Sequence, residues 1–287
     1  MYVTLEPCTH FGLTPPCTNI IKKKKIDKVF YSFNDPDQRT YRKANKILAN
    51  SKISLKKIST KHKDFYKSYF LNKSKNLPLI DAKLAISKDY FTINEKSKWI
   101  TNHKSRKVGH FLRSKYDCIL STSTTVNKDN SLLNCRIEGL ENHQPDIVII
   151  DRNLKIKKSL KILKKLEKRN LYIFTCKNMK NKPNYLNQTN IKILRVPYLD
   201  TKKDFNFLIK KLFQIGKRRV FIEAGLTFIS KMIEFKLIND LYLFKTNTKL
   251  KNTGYNNCKI NHLKKLNIKK KINVNLDEDE LYKLRIN

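Results

Sequence analysis

The sequence predicts an α/β protein with a mostly parallel sheet in two domains, and three observations support this prediction. At 287 residues, 40% of them hydrophobic, the chain is long enough for two domains that each bury a core. Short runs rich in β-branched and aromatic residues alternate with amphipathic helical segments along its length. No internal repeat and no Gly/Ser linker interrupts the alternation, and with six glycines the turns depend on Asn, Asp and Pro.

The first part of the chain is predicted to contain three strands and three helices. The strands are at 2–5, 28–33 and 53–58, and the helices are at 14–24, 38–50 and 61–71. Pro15 and Pro16 suit the first turn of a helix, where a missing N–H costs nothing. The polar stretch 72–78 contains a proline and is predicted to be a linker, which gives domains of 1–75 and 76–287.

The second domain continues the alternation. Its predicted strands are at 79–87, 117–121, 146–151, 171–175, 191–196, 219–223 and 240–245. Its predicted helices are at 102–115, 158–168, 202–215 and 226–235. The tail from about Cys258 is predicted to form strands that close the sheet edge, and its acidic run 277–280 is predicted to be an exposed turn.

Composition limits the function classes. The net charge of +38 favours an anionic partner, but lysine far outnumbers arginine and accompanies abundant Asn and Ile, as adenine- and thymine-rich codons would produce. We therefore expect a solvated surface or a phosphorylated substrate and no specific nucleic acid; a basic nucleic-acid-binding protein on a degenerate enzyme fold remains the alternative. The N-terminus lacks signal-peptide features and no apolar run is long enough to span a bilayer, so a cytoplasmic protein is expected.

Two of the six cysteines lie in a motif with zinc chemistry. Cys8 follows Pro7 after a predicted strand, and Cys17 begins a predicted helix, as in the Pro-Cys…Cys segment of zinc nucleobase deaminases. Cys8 and Cys17 are therefore the predicted metal ligands. Such enzymes also need a His-x-Glu segment, in which the histidine binds zinc and the glutamate carries the proton. None of the six histidines has a glutamate two residues later, so the zinc site is predicted to be incomplete and deamination absent.

The residue identities in this segment are more specific than the spacing of its two cysteines. Residues 4–17 read Thr-Leu-Glu-Pro-Cys-Thr-His-Phe-Gly-Leu-Thr-Pro-Pro-Cys, which resembles a diagnostic segment of the bifunctional deaminase–reductases of riboflavin biosynthesis. Further segments resemble that family in the same order along the chain. They are Asp35-Pro36, Lys-Leu-Ala-Ile-Ser-Lys-Asp at 83–89, Ser-Lys-Trp-Ile-Thr at 97–101, Phe-Leu-Arg at 111–113, Asp-Cys-Ile-Leu at 117–120, Thr-Thr-Val-Asn-Lys-Asp at 124–129, Leu-Leu-Asn-Cys-Arg at 132–136 and Glu-Ala-Gly-Leu-Thr at 223–227.

The resemblance implies a fold and an activity. A truncated cytidine-deaminase-like α/β domain would precede a dihydrofolate-reductase-like domain. The latter would use NADPH to reduce 5-amino-6-(5-phosphoribosylamino)uracil to its ribityl form, and the zinc-dependent step would be lost. A full bifunctional deaminase–reductase whose recorded start is too late remains open. The partners implied are the phosphorylated ribosylaminopyrimidine substrate and a second copy of the chain, without a membrane.

The resemblance also implies roles for individual residues of the second domain. Cofactor contacts map to Ala85, Trp99, Thr125, Asp129, Gly225, Leu226 and Thr227. Substrate contacts map to Ser97, Arg113, Leu133, Arg136 and Glu223. Lys83 would lie near the reacting sugar carbon, where an ammonium group polarises an imine or aldehyde.

Physical chemistry is consistent with several of these roles. Gly225 lies where a predicted strand meets a helix, so backbone N–H groups can bind a phosphate there. The two arginines suit a ribose 5-phosphate.

Three positions depart from the family pattern. Tyr90-Phe91 stands where the family usually has glycine plus a basic residue, and Asn130-Ser131 replaces Asp-Pro. Leu226 occupies a position that is usually a small residue or proline.

Overall fold

The structure, a computed structural model, describes residues 1–60, 62–178, 182–259, 266, 268 and 271–287. The chain divides into two compact units, Met1–Leu77 and Pro78–Asn287. Within the described residues, no helix combines the length and the apolar character needed to cross a membrane.

Unit 1 (Met1–Leu77) is a small parallel sheet with helices between its strands. Its elements are β1 (Tyr2–Leu5), α1 (Cys17–Lys23), β2 (Lys28–Phe33), α2 (Ala44–Ala49), β3 (Ser54–Lys57) and α3 (Lys67–Lys75). The strand order is β1-β2-β3, with both pairs parallel. Its core consists of Ile21, Val29, Leu48 and Ile53, all buried.

The helices of unit 1 differ from the predicted ones at their ends. The first helix begins at Cys17 and not at residue 14, because Pro16 is extended and the backbone N–H groups of Cys17 and Thr18 bond to Cys8 instead. The predicted linker 72–78 is wrong over its first half, since α3 continues to Lys75. That helix stops at Asn76, whose φ of 52° lies in the left-handed region that asparagine tolerates. Lys61, the predicted start of this helix, lies outside the described residues.

Unit 2 (Pro78–Asn287) contains an eight-stranded sheet and a separate two-stranded ribbon. The strands of the whole unit are β4 (Leu79–Ile86), β5 (Ile93–Asn94), β6 (Cys118–Thr122), β7 (Asp146–Ile150), β8 (Leu171–Cys176), β9 (Ile191–Val196), β10 (Arg219–Ile222), β11 (Asp240–Lys245), β12 (Gly254–Tyr255) and β13 (Glu280–Arg285). The order in the large sheet is β13-β11-β4-β10-β6-β7-β8-β9, while β5 and β12 form a separate two-stranded ribbon. All pairs in the large sheet are parallel except β11 with β13.

Burial on both faces explains why the central strands read as continuous apolar runs. All six residues of β8 are buried, as are the last four of β7. The helices that cover the sheet are α4 (His103–Arg113), α5 (Ser123–Asp129), α6 (Lys161–Lys164), α7 (Lys202–Gln214) and α8 (Leu226–Glu234). Several begin at a side-chain cap: Asn102 accepts from the Ser105 N–H, Thr122 from that of Thr125, and Thr201 from that of Asp204.

Three predictions for unit 2 need correction. The sequence pattern missed α5, a short helix between β6 and the loop that follows. The predicted helix at 158–168 shrinks to the four residues of α6, because Leu160 before it is extended (ψ 136°) and Lys165 after it leaves the helical region (ψ 52°). The acidic run 277–280 is not simply an exposed turn, because Asp279 is buried and Glu280 begins β13, although Asp277 is exposed as predicted.

Asp279 holds the start of α4, the helix that carries Arg113, a predicted substrate-binding residue. Its carboxylate accepts from the Asn102 N–H (2.9 Å) and from the Ser105 hydroxyl (2.6 Å), and the residue is 6% exposed. Asp279→Ala should destabilise the protein by roughly 1–3 kcal/mol, because two buried donors lose their acceptor. Urea unfolding measures this.

Asp277→Ala is the matched control. Asp277 pairs with Lys104, and the two side chains are 52% and 50% exposed, so its removal should cost less than about 1 kcal/mol. Equal losses in the two variants would contradict the anchoring role of Asp279.

Candidate active site

A cavity of about 1650 Å³ in unit 2 opens at the carboxyl ends of β4, β10, β6 and β7. Ligands bind at this edge in open parallel sheets, because the strands end there and the following helices begin there. The cavity is lined by every residue of unit 2 that has a predicted role. They are Lys83, Ala85, Ser97, Trp99, Arg113, Thr125, Asp129, Leu133, Arg136, Glu223, Gly225, Leu226 and Thr227. Their individual roles remain predictions.

Lys83 and Ala85 lie on one face of β4. They are two residues apart, so the strand presents both to the same side, and both are half-buried between fully buried neighbours. The ammonium of Lys83 lies 5.6 Å from the centre of the Phe244 ring. Burial lowers the pKa of Lys83, while the carboxylates of Glu223 and Asp129 act in the opposite direction.

Arg113 and Glu223 form a two-point ion pair in the cavity wall. Arg113 Nε lies 2.5 Å from Glu223 Oε1 and Nη2 lies 2.9 Å from Oε2, and both side chains are 14% exposed. Burial by itself raises the pKa of Glu223, but Arg113 and Lys83 outweigh it and the net shift is downward. Glu223 is therefore a carboxylate and a hydrogen-bond acceptor. Arg113 is one of the two arginines predicted to bind the phosphate. In the structure, two of its nitrogens are already engaged in the ion pair with Glu223.

The loop that carries Leu133 and Arg136 is held by three side chains that donate to successive carbonyls. Arg169 Nη1 donates to the carbonyls of Leu132 (3.0 Å) and Leu133 (3.3 Å). Arg113 Nη1 and His110 Nδ1 each lie 2.9 Å from the Asn134 carbonyl.

This anchoring maintains an unusual backbone conformation. Leu133 is buried with a φ of 47°, a region that costs a branched residue about 1–3 kcal/mol. Leu133 and its neighbours keep this conformation because Arg169, Arg113 and His110 fix the carbonyls on either side.

Two helix N-termini meet at the opposite wall. Thr122 caps α5 and Gly225 caps α8, and the Gly225 N–H donates to Thr125 Oγ1 at 3.2 Å. The N–H groups of Leu226 and Thr227 belong to the first turn of α8, so no residue of that helix can accept from them. They and the positive end of the helix dipole are suited to an anionic oxygen.

Three further predicted site residues, Ser97, Trp99 and Asp129, lie between these two walls and already interact with neighbouring residues. Ser97 makes a turn, in which its hydroxyl accepts from the Trp99 N–H (3.1 Å). Trp99 is 51% exposed, and the Arg106 guanidinium lies 4.7 Å from the centre of its ring. Burial raises the pKa of Asp129, which Lys98, Lys128 and Lys83 oppose.

The three departures from the family pattern have visible structural consequences. Tyr90 has a φ of 69°, in the left-handed region where glycine is usual, so the departure places a bulky residue in a strained turn. Its neighbour Phe91 occupies the space beside Gly254, where an added Cβ would lie 2.4 Å from the ring. Asn130 also has a positive φ, of 47°, which asparagine tolerates as the residue that ends α5. Leu226 is buried at the start of α8.

Sequence reasoning missed His110, Asn134 and Arg169. His110 could have been found, because it precedes Arg113 by three residues on a predicted helix and must share its face. Arg169 offered no signal, since its contacts lie 36 and 37 residues away in a loop of irregular conformation.

The predicted metal ligands lie in unit 1. The Cys17 N–H donates to Cys8 Sγ at 3.0 Å, so the two cysteines lie next to each other. His10 Nδ1 contacts Thr40 Oγ1 at 3.1 Å. Within the described parts of the chain, no three His, Cys, Asp or Glu side chains converge on one point. These residues supply two thiols, which is fewer than the three protein ligands of a catalytic zinc ion.

The fold and the cavity of unit 2 define an α/β domain with a ligand site at the carboxyl edge of its parallel sheet. A family model described as the RibD C-terminal domain matches residues 78–246. The chain belongs to this family of riboflavin-biosynthesis proteins, and both the predicted family and the predicted α/β fold of unit 2 are confirmed.

Individual relatives agree with this assignment. The riboflavin biosynthesis protein RibD of Aquifex aeolicus is 31% identical over 229 residues, which are 78% of this chain and 62% of that protein. The protein of the same name from Buchnera aphidicola is 33% identical over 261 residues, 85% of this chain and 68% of that protein. The match to the solved structure of Acinetobacter baumannii RibD covers all of this chain and 80% of that protein's chain, with a TM-score of 0.80 and 25% sequence identity. The chain thus spans about two thirds of the curated relatives it matches.

Proposed function

We propose that unit 2 catalyses the NADPH-dependent reduction of 5-amino-6-(5-phosphoribosylamino)uracil to its ribityl form. One observation carries the proposal: all thirteen residues to which the sequence assigned cofactor, substrate or catalytic roles line a single cavity. They come from six separate segments of the chain, so their convergence is a property of the fold and not of their spacing. The family to which the chain belongs supports the same chemistry.

The cavity offers donors that fit NADPH. The open first turn of α8, beginning at Gly225, suits a phosphate oxygen, and a Cβ at Gly225 would meet only Thr125 Oγ1, at 3.9 Å. Arg152, Lys155 and Lys231 also line this cavity, so its charge suits a cofactor with several phosphates. When bound, NADPH supplies the hydride, and the protein supplies position and electrostatic field.

The residues of the opposite wall are suited to the substrate. Glu223, held ionised by Arg113, can accept from the pyrimidine or the sugar hydroxyls. Arg136 is exposed at the cavity. Within the described parts of the chain its one hydrogen-bond partner is His110, so most of its N–H groups can bind the 5-phosphate. Lys83 can polarise the imine or aldehyde at the sugar carbon and give a proton to its nitrogen or oxygen.

We assign no deamination to the polypeptide 1–287. The support lies in the sequence, where no His-x-Glu segment accompanies Cys8 and Cys17, so the proton carrier of a zinc deaminase is missing. Purified protein should oxidise NADPH with the deaminated pyrimidine and should release no ammonia from its amino precursor. A protein that binds NADPH but does not turn over the deaminated substrate would contradict the proposal.

Thr125→Val should weaken NADPH binding by roughly five- to tenfold, because Gly225 loses the acceptor that fixes the start of α8. The lost hydrogen bond from the Gly225 N–H is exposed to solvent, so the free energy of unfolding should fall by less than about 1.5 kcal/mol. Quenching of Trp99, the single tryptophan of the chain and a cavity residue, measures the affinity.

Thr189→Val is the matched control, since Thr189 is exposed and does not line the cavity. An unchanged affinity of the Thr125 variant would show that the contact between the two helix starts does not shape the cofactor site.

A further inference from the structure

His110 lies between the two arginines of the substrate wall. Its Nε2 is 2.9 Å from Arg136 Nη2, and its Nδ1 is 2.9 Å from the Asn134 carbonyl. Arg113 Nη1 lies 3.3 Å from Nδ1 and donates to the same carbonyl. The imidazole therefore connects α4 with the loop that carries Arg136.

The partners determine the protonation state of the ring. A carbonyl oxygen can only accept, so Nδ1 carries the hydrogen. Nε2 then has its lone pair free and accepts from Arg136, which can only donate. Protonation would place an N–H of His110 against an N–H of Arg136.

The charges around His110 favour the neutral ring. They are Arg113 on α4, Arg136 on the loop and the Glu223 carboxylate at the end of β10. Burial, Arg113 and Arg136 lower the pKa of His110 to about 4, against the smaller raising effects of the Asn134 carbonyl and Glu223. The ring accepts from Arg136 throughout the neutral pH range.

Arg136 needs such a partner. It is an exposed side chain on an irregular loop, and among the described residues no ion pair holds its guanidinium. An unheld arginine would lose its rotamer freedom when it binds a ligand, at the expense of affinity. An acceptor on one N–H keeps the head in place and leaves the other N–H groups for a phosphate.

We propose that His110 is a positioning residue, which as a neutral acceptor holds Arg136 in the orientation that binds the phosphate of the substrate. The proposal rests on the proposed function for the identity of the phosphate, and it adds a residue to which neither the motifs nor the family resemblance gave a role. His110 would act on ground-state binding of the phosphate and not on the chemical step.

Steady-state kinetics with the phosphorylated substrate and with its dephosphorylated analogue tests this role. His110→Phe should raise KM for the phosphorylated substrate roughly tenfold and leave kcat within about twofold. KM for the dephosphorylated analogue should not change. His110→Gln should recover most of the loss, because its amide oxygen can accept from Arg136.

A double-mutant cycle separates positioning from general damage. Arg136→Ala should raise the same KM, and adding His110→Phe to it should raise KM no further. An additive effect, a fall in kcat with KM unchanged, or an equal loss for the dephosphorylated analogue would overturn the proposal. His143→Phe, an exposed histidine outside the cavity, is the matched control.

A binding measurement keeps the proposal testable if the proposed reaction fails. Trp99 fluorescence should show that the wild-type protein prefers ribose 5-phosphate to ribose and that His110→Phe loses this preference while retaining its affinity for NADPH. If the preference is present and turnover is absent, the reaction is wrong and the positioning role stands. If the wild-type protein shows no preference, or His110→Phe keeps it, the positioning role is wrong.

Discussion

Replacing Lys83 with methionine is expected to lower kcat by roughly 10²–10⁴-fold, the usual contribution of a positioned acid or base. Methionine fills much the same space on β4 but has no proton to give and no charge to polarise the reacting bond. Because the contacts proposed for the cofactor lie mainly on α5 and α8, the affinity for NADPH should stay within about threefold. Single-turnover oxidation of NADPH measures the chemical step.

The pH profile gives a second check on Lys83. Burial lowers the pKa of its ammonium below the ordinary 10.5, so the protonated form disappears as pH rises through that lowered value. The rate should therefore fall on the alkaline side in the wild-type protein, and this limb should be missing from Lys83→Met.

Lys192→Met is the matched control for Lys83→Met, because it changes a strand lysine that is exposed on β9 and lies outside the cavity. If Lys83→Met keeps the wild-type kcat, the group that polarises the sugar carbon must be another one.

The second large effect is expected at the ion pair between Arg113 and Glu223. Arg113→Leu leaves a largely buried carboxylate without its partner and removes a donor to the Asn134 carbonyl, so the free energy of unfolding should fall by about 3–5 kcal/mol. Turnover should fall as well, because Glu223 and the loop with Arg136 both lose a contact. Denaturant unfolding and steady-state kinetics measure the two effects.

The pH dependence of this loss has a definite sign. The pKa of Glu223 in the folded protein is lower than its ordinary value of 4.5, so the pair contributes stability above that value. The contribution is lost as pH falls through the lowered pKa. The difference between wild-type and Arg113→Leu protein should thus be full at neutral pH and shrink below about pH 4.5.

Arg152→Leu is the matched control for the ion pair. Arg152 pairs with Asp200 across 3.1 Å, but the two side chains are 47% and 55% exposed, so its loss should cost about 0–1 kcal/mol. Equal losses of unfolding free energy in the two variants would mean that burial does not strengthen the pair in the cavity.

The sequence was informative where local pattern and tertiary structure agree. The apolar runs of β7 and β8 are typical of strands that are buried on both faces of a parallel sheet. Both strands were therefore correctly predicted. The motif at 83–89 contains the carboxyl end of β4, and the motif at 223–227 follows the end of β10. Their convergence at one edge is a consequence of parallel order.

The remainder depends on contacts that no local pattern contains. Helix α5 is short and rich in Thr and Asn, which have low helix propensity, and its cap and tertiary contacts decide its conformation. Arg113 and Glu223 are 110 residues apart, so their pairing could not be inferred from two separately predicted substrate contacts. The boundaries of α1, α3 and α6 depend on single residues with a non-helical backbone, such as Pro16, Asn76 and Lys165.

The central claim is that unit 2 brings a nicotinamide and the sugar carbon of a phosphoribosylaminopyrimidine together for hydride transfer. The most direct test is to incubate the purified protein with the deaminated pyrimidine and NADPH carrying two deuterium atoms at C4 of the nicotinamide, and to determine the mass of the product. The account predicts a ribityl product with one deuterium at the former sugar C1′, and far less of it from Lys83→Met. An unlabelled product, or no product from a folded protein that binds both ligands, would contradict it.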